Sequence, residues 1–167
     1  MRTQSINIAY LEDDLEQAKM VTSWFEEFGY QCEHFTHTQA LLKRLKDKDF
    51  DIALLDWELP DMSGLEAIKQ IRSKYHKNLP ILFCSMRDSE ADVVQALEQG
   101  ADDYLPKPFK RQELLLTIDK ALKAQQLRRK NKSLSAQLSE QKQLVGLVGK
   151  APCMQKVYQR INKLSAT

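Results

Sequence analysis

Five side chains suited to phosphoryl transfer stand at or just after the ends of apolar runs in this sequence. Glu12 and Asp13 follow the first run, Asp56 ends the third, Ser85 ends the fourth and Lys107 follows the fifth. Carboxylates that lie close together repel one another unless a cation joins them, and hard oxygen ligands in an open site favour Mg²⁺. With a lysine and a hydroxyl beside them, they make a site for transfer of a phosphoryl group to an aspartate. Taken singly, each residue has an ordinary explanation as a helix cap, a turn residue or a surface lysine. Because all five residues coincide at strand ends, a shared phosphoryl-transfer site is the better explanation.

These residues need a scaffold that brings the strand ends together. Short apolar runs alternate with helical patterns, and we predict strands at 6–11, 30–35, 51–56, 80–85 and 102–106, each followed by a helix. Thr38 and Ser63 are the predicted N-caps of the second and third helices. Five strand–helix repeats predict an α/β fold with a parallel sheet covered by helices on both faces. In such sheets, sites form beyond the carboxyl ends of the strands.

Composition excludes several classes of protein. The 167 residues are 43% apolar and 29% charged, and no apolar run approaches the roughly 20 residues of a membrane helix. The N-terminus lacks the apolar core of a signal peptide, so we expect a cytoplasmic location. Three widely spaced cysteines without a CxxC pair predict neither a disulfide framework nor a zinc site. Cys84 lies in an apolar run, so we expect it to be a buried thiol.

Charge is unevenly distributed along the chain. Residues 1–124 carry 16 Lys+Arg against 22 Asp+Glu, whereas residues 125–167 carry 9 against 1. An acidic body with a basic tail predicts two units with different roles. The tail could contact nucleic acid, but a solvated helix face is the commoner explanation.

Residues 1–124 resemble the receiver domain of bacterial two-component response regulators. The resemblance rests on "YLEDD", "LLDWELPDMSG", "ILFCS" and "GADDYLPKPF". It implies a flavodoxin-like doubly wound sheet of order 2-1-3-4-5, an order for which the chemotaxis receiver is a known example. The expected partner is a sensor histidine kinase or a phosphotransfer protein. The domain would be a regulatory phosphoacceptor whose only reactions are its own phosphorylation and dephosphorylation.

The resemblance also assigns the site. Asp56 takes the place of the phosphoacceptor, and Asp13 that of the direct Mg²⁺ ligand. Glu12 is its partner acid, acting through water, and Glu58 would offer its backbone carbonyl to the metal.

The remaining roles concern the response to the phosphoryl group. Lys107 would pair with it, held by a cis Lys107–Pro108 peptide. Ser85 takes the place of the switch hydroxyl that bonds a phosphoryl oxygen. Tyr104 resembles the switch aromatic, whose ring turns inward when Ser85 moves.

Some residues around the acceptor are not part of the family pattern and are specific to this chain. Met86 stands where the family usually carries a small residue, and it would narrow access to the acceptor. We expect Glu58 and Arg87 to pair across the site mouth and to shield the acyl phosphate from water. Trp57 directly follows the acceptor and should report metal or phosphate binding by its fluorescence.

The C-terminal segment predicts a linker and the start of an output domain. No Gly or Pro interrupts 110–145, so we expect the fifth helix to continue through a linker, 125–145. A heptad seam in this linker suggests a parallel homodimer: Leu127, Asn131, Leu134, Leu138, Gln141 and Val145. The face of the fourth helix, fifth strand and fifth helix is a second candidate for dimerisation. A single solvated helix is the simpler alternative.

Residues 146–167 resemble the entry segment of the AAA+ domain of sigma-54-dependent activators. Glycine breaks at Gly146 and Gly149 precede an apolar helical pattern, and no phosphate-binding G-x-x-x-x-G-K-[ST] loop follows. We therefore expect this chain not to bind or hydrolyse ATP by means of such a loop. Contact with DNA or sigma-54 RNA polymerase would come only through further output domains.

Three alternatives remain. A receiver with a winged-helix DNA-binding output would look similar, but Gln95 and Thr117 stand where its dimer-forming arginines are expected. An aspartate-nucleophile phosphatase of the haloacid-dehalogenase kind would carry its acid–x–acid signature near the N-terminus. A phosphorylation-independent binding module would not need every chemical residue of the site.

Overall fold

The computed structural model describes residues 5–75 and 78–149, the last six by backbone alone. One sheet of five parallel strands has the order β2-β1-β3-β4-β5, which confirms the predicted fold. The strands are β1 Asn7–Leu11, β2 Gln31–Phe35, β3 Ile52–Asp56, β4 Ile81–Ser85 and β5 Asp103–Pro106. The chain divides between Gln125 and Gln126 into two units, which are described separately.

Five α-helices follow the strands. They are α1 Leu15–Glu27, α2 Thr38–Arg44, α3 Gly64–Gln70, α4 Glu90–Glu98 and α5 Arg111–Gly149, and α3 continues into a π-helical turn, Ile71–Tyr75. Residues of α2, α3 and α4 pack on one face of the sheet, and residues of α1 and of the first part of α5 pack on the other. The two layers explain why β3 and β4 are buried along their whole length.

The two apolar layers share the strands by alternation. Ala9 and Leu11 belong to one buried cluster, whereas Ile8 and Tyr10 belong to the other. Cys84 is almost fully buried and unpaired, as predicted, and burial raises the pKa of its thiol. A one-residue slip in register would move every side chain of a strand into the opposite layer, where it would not fit the neighbours packed there. The carboxyl ends of β1, β3, β4 and β5 are therefore fixed relative to one another.

Helix α2 begins differently from the prediction. Thr38 is its first residue, and the N-cap position belongs to His37, whose side chain makes no capping hydrogen bond. Asp61, from the loop after β3, accepts hydrogen bonds from the backbone N–H groups of Thr38 and Gln39 instead. The predicted cap at Thr38 is wrong because a distant carboxylate supplies it. The predicted cap at Ser63 is confirmed, since its hydroxyl accepts from the Glu66 N–H.

The second unit contains the C-terminal part of α5. The helix passes through Gly146 and extends to Gly149, the last residue described, so the predicted break at Gly146 is wrong. An isolated glycine costs a helix only about 1 kcal/mol, which its neighbours can offset. Leu127, Leu134 and Leu138 of the predicted seam are exposed in the single chain. From residue 150 onward, the predicted start of an output domain lies outside the described residues.

None of the helices in the described ranges combines the length and the apolarity that crossing a membrane requires.

Candidate phosphoacceptor site

Asp56 is held rigidly where β3 ends. Every residue of β3 is buried, and Asp56 lies opposite Cys84 of β4 in the register. The Trp57 N–H donates to Asp56 Oδ1 over 2.6 Å, which fixes the orientation of the carboxylate. Helix α3 begins against this strand end, since a Cβ on Gly64 would lie 2.3 Å from the Asp56 carbonyl oxygen. Only glycine fits there without a shift of its neighbours, which explains the Gly at the start of α3.

Three carboxylates converge at this end of the sheet. Oxygens of Glu12, Asp13 and Asp56 all lie within 4.8 Å of one another, so they could hold a metal ion. Asp13 is exposed, whereas Glu12 and Asp56 are buried. Burial raises the pKa of Glu12 above its ordinary value, and the charge of Asp56 adds to this shift. The grouping predicted for these three acids is therefore present.

The backbone of Glu12 is held by the end of β2. Its N–H donates to the Phe35 carbonyl over 3.0 Å, and its carbonyl oxygen lies 2.7 Å from His34 Nε2. The Asp14 N–H donates to Glu12 Oε1 over 3.1 Å. The buried acid therefore has a fixed backbone and one fixed carboxylate oxygen.

Lys107 lies between the two buried acids. Its Nζ is 2.6 Å from Glu12 Oε2 and 3.3 Å from Asp56 Oδ2, and its side chain is only 7% exposed. Although burial alone would lower it, the hydrogen bond to Glu12 and the charge of Asp56 raise the pKa of Lys107 above its ordinary value. The Lys107–Pro108 peptide is cis, as the resemblance implied. The direct contact with Glu12 is a feature that sequence reasoning did not find, because 95 residues separate the two.

Ser85 and Tyr104 meet at the backbone of Arg87. The Arg87 N–H donates to Ser85 Oγ over 3.0 Å, and the Tyr104 hydroxyl donates to the Arg87 carbonyl. Tyr104 also lies beside Phe83, with ring centroids 6.1 Å apart. Sequence reasoning had singled out Arg87 for its side chain. No sequence signal could reveal that its peptide groups join the two predicted switch residues.

The side chains around the site mouth differ in their placement. Arg87 pairs with Glu58 over 3.7 Å, as predicted, and its guanidinium lies 5.3 Å from the Trp57 ring centre. Trp57 itself is buried and packs edge-on against Phe83, so it forms the floor beneath Arg87 rather than the rim. Met86 is 72% exposed and lines a cleft of about 360 Å³ together with Lys107.

Comparison with known proteins places this arrangement in a family. The family model "Response regulator receiver domain" matches residues 8–119. The DNA-binding transcriptional regulator NtrC of Proteus hauseri is 32% identical over 162 residues, which are 97% of this chain and 33% of that protein. The heme response regulator HssR of Staphylococcus epidermidis is 33% identical over 126 residues, which are 75% of this chain and 55% of that protein.

Solved structures agree with the fold. The crystal structure of a CheY-like response regulator receiver domain protein from Methanospirillum hungatei superposes with a TM-score of 0.70 at 26% identity, covering 75% of this chain and 99% of that one. The chain spans between a third and about half of the curated relatives NtrC and HssR. Since the family model covers most of the chain and the sheet order and acid cluster agree with it, the chain belongs to the receiver domain family of two-component response regulators.

Proposed function

We propose that this receiver accepts a phosphoryl group on Asp56 from a phosphohistidine of a sensor histidine kinase or of a phosphotransfer protein. The observation that carries the proposal is the environment of Asp56: a carboxylate with one oxygen fixed by a backbone N–H and the other 3.3 Å from a buried ammonium. A nucleophile held in one orientation avoids much of the entropic cost of the reaction. Its assignment as the acceptor agrees with its place at the centre of the sheet edge.

The donor set fits Mg²⁺. Three carboxylates face one ammonium, so a divalent cation would neutralise the cluster, and all the available ligands are hard oxygens. Asp13 and Asp56 would bind the metal directly, Glu12 through water, and Glu58 through its backbone carbonyl. When bound, Mg²⁺ offsets the negative charge of the phosphoryl oxygens.

The transfer exchanges one bond to phosphorus for another. The P–N bond of the phosphohistidine breaks as an Asp56 carboxylate oxygen forms the new P–O bond, and the electron pair returns to the imidazole nitrogen. The ammonium of Lys107 stabilises the charge on a phosphoryl oxygen at this position. Hydrolysis of the acyl phosphate by water resets the domain. Phosphorylation and dephosphorylation of its own Asp56 are then the reactions that we assign to this domain.

The switch uses hydrogen bonds that are already present. Ser85 Oγ now accepts from the Arg87 N–H, and its O–H would donate to a phosphoryl oxygen on Asp56 if the side chain turned toward it. When Ser85 turns toward the phosphoryl group, the Arg87 N–H loses the side-chain oxygen that accepts from it, and the loop after β4 is free to shift. The Tyr104 hydroxyl is hydrogen-bonded to the Arg87 carbonyl, so its ring would move when the loop shifts. Phosphorylation thereby biases the surface formed by α4, β5 and α5.

Two side chains at the site mouth would set the lifetime of the phosphorylated state. The Glu58–Arg87 pair covers the Trp57 ring beside the acceptor and would hinder water from reaching the acyl phosphate. Met86 lines the cleft and would narrow the path of a phosphodonor.

The lengths of the matches to known relatives favour a receiver that controls a transcription-activating output domain. The NtrC match extends over 162 residues, through the linker and beyond, whereas the HssR match covers 126 residues. We therefore assign 1–124 as the receiver, 125–145 as a linker helix that associates in a homodimer, and 146–167 as the start of a sigma-54-activator-like AAA+ domain. DNA and RNA polymerase would be contacted through further domains, in the cytoplasm.

The phosphatase alternative finds less support. Such an enzyme needs a general acid two residues after its nucleophile. The side chain at that position, Glu58, is 77% exposed and paired with Arg87. A solvated, ion-paired carboxylate is poorly placed to protonate a leaving group.

The proposal is tested with beryllofluoride, a stable mimic of the phosphoryl group, in the presence of Mg²⁺. Trp57 fluorescence should change in the wild type and not in Asp56→Asn, and light scattering should report whether mass changes. Phosphoramidate should label the wild type with one phosphate per chain that is labile to both acid and base, as an acyl phosphate is. The absence of a response in the wild type, or an equal response in Asp56→Asn, would overturn the proposal.

A further inference from the structure

Asp61 caps a helix to which it does not belong. It lies in the loop between β3 and α3, and its two carboxylate oxygens accept from consecutive N–H groups of α2: Thr38 over 3.1 Å and Gln39 over 3.0 Å. Burial alone would raise the pKa of Asp61, but these bonds hold it below its ordinary value. The N-cap residue of α2, His37, makes no side-chain cap of its own. The start of α2 therefore depends on a residue 23 positions away.

The loop that carries Asp61 also carries the predicted metal-binding carbonyl. The Gly64 N–H donates to the Trp57 carbonyl over 2.7 Å, and Glu58 forms an antiparallel bridge with Ser63. The loop is thus closed at its base, with Asp61 near its tip. Because a closed loop moves as a unit, anchoring Asp61 restrains Glu58 as well.

The segment to which Asp61 is tied also holds the other half of the site. Phe35 ends β2 and accepts the N–H of Glu12, and His34 contacts the Glu12 carbonyl. Helix α2 begins only three residues after Phe35. The end of β2 and the start of α2 therefore lie between the loop of Glu12 and the loop of Glu58, and they are hydrogen-bonded to both.

We propose that Asp61 is a positioning residue of the metal site. Its carboxylate holds the loop of Asp56 and Glu58 at a fixed distance from the loop of Glu12 and Asp13. A divalent ion needs oxygens from both loops at once, so a loop that is free to drift binds it less tightly. The inference rests on the proposed function, because it assumes that these oxygens bind Mg²⁺.

The test measures Mg²⁺ affinity in the unphosphorylated protein. In a Trp24→Phe background, Trp57 is the only tryptophan, and its fluorescence is titrated with Mg²⁺. Asp61→Ala should raise the Kd about tenfold, the lower end of the range for residues that support metal ligands. The Kd of Asp61→Asn should fall between those of the wild type and Asp61→Ala, because the single amide oxygen replaces two carboxylate oxygens and can accept only one of the two N–H bonds in this arrangement. Urea denaturation of each variant measures the accompanying loss of stability.

Ser89→Ala is the matched control. It removes the cap of α4, where Ser89 Oγ accepts from the Asp92 N–H over 3.2 Å, and no part of this cap belongs to the metal loops. Its Kd for Mg²⁺ should stay within about twofold of the wild type at a similar loss of stability. An Asp61→Ala Kd no higher than that of Ser89→Ala would refute the positioning role. If the wild type itself bound no Mg²⁺, the proposed function would fail first, and the two failures are thus distinguishable.

Discussion

Lys107→Met is the substitution whose effect on stability the structure predicts most sharply. It removes an ammonium that lies 2.6 Å from Glu12 and 3.3 Å from Asp56, and it keeps an unbranched apolar side chain of similar length. All three side chains are largely buried, so the two carboxylates would be left without the cation that contacts both. Removing one partner of a buried ion pair costs about 3–5 kcal/mol, and we expect a loss of this size in the free energy of unfolding at pH 8.

The loss should shrink at lower pH, because Glu12 can avoid an unpaired charge by binding a proton. Burial already raises the pKa of Glu12 in the folded protein, and Lys107 is the main group that opposes this shift. Because the pKa of Glu12 is higher in the folded protein than in the unfolded chain, protonation of Glu12 favours the folded state. This stabilisation is fully present below the ordinary Glu pKa of about 4.3, and it is lost as the pH rises through the pKa of Glu12 in the folded protein. Without Lys107 that value rises further. The difference between Lys107→Met and the wild type should therefore widen from pH 5 to pH 8, by at most about 1.4 kcal/mol per pH unit.

Urea denaturation followed by circular dichroism, without divalent ions, measures this difference at each pH. Lys123→Met serves as the control, because Lys123 is exposed and its pair with Asp119 on the same helix is screened by water, so its loss of stability should be small beside that of Lys107→Met at every pH. Adding Glu12→Gln to Lys107→Met should recover more than half of the lost stability at pH 8. A loss that is equal at every pH, or a double variant no more stable than the single one, would show that the reasoning is wrong.

Three further substitutions test other parts of the molecule. Gly64→Ala should lower the free energy of unfolding by about 2–3 kcal/mol in urea denaturation, because its methyl would lie 2.3 Å from the Asp56 carbonyl oxygen; an unchanged midpoint would contradict this contact. Arg87→Ala should speed dephosphorylation severalfold, measured by loss of labelled phosphate, while the exposed pair with Glu58 contributes under about 1 kcal/mol to stability; an unchanged rate would refute the shielding role. Leu134→Lys should prevent any increase in mass seen by light scattering, since it puts a charge into the linker seam; a dimer of unchanged affinity would place the interface elsewhere.

The strands could be predicted closely because their signal is local. The apolar runs at 51–56 and 80–85 became β3 and β4 within one residue at each end, since burial on both faces leaves no place for polar residues. The grouping of Glu12, Asp13 and Asp56 followed from the same pattern, because parallel strands end at one edge. Their roles in chemistry required the family resemblance as well.

What the sequence could not predict depends on contacts between distant segments. The Lys107–Glu12 contact and the cap that Asp61 gives to α2 join residues 95 and 23 positions apart, and neither leaves a local pattern. The break predicted at Gly146 failed for a different reason. Propensity is a weak preference, and one glycine in a helix can be outweighed by the residues around it.

Arg87 shows how such contacts could connect the chemistry of the site to its response. Its guanidinium lies over Trp57 and pairs with Glu58, so the side chain contacts the loop that follows the acceptor. Its backbone is bonded to Ser85 on one side and to Tyr104 on the other. A movement of Ser85 would thus disturb a residue whose side chain is also anchored beside Asp56. The side chain of Arg87 would thus affect the lifetime of the phosphoryl group, whereas its backbone would take part in the switch. Substitutions of Arg87 change the side chain and keep the backbone groups, so they should alter the lifetime and leave the switch in place.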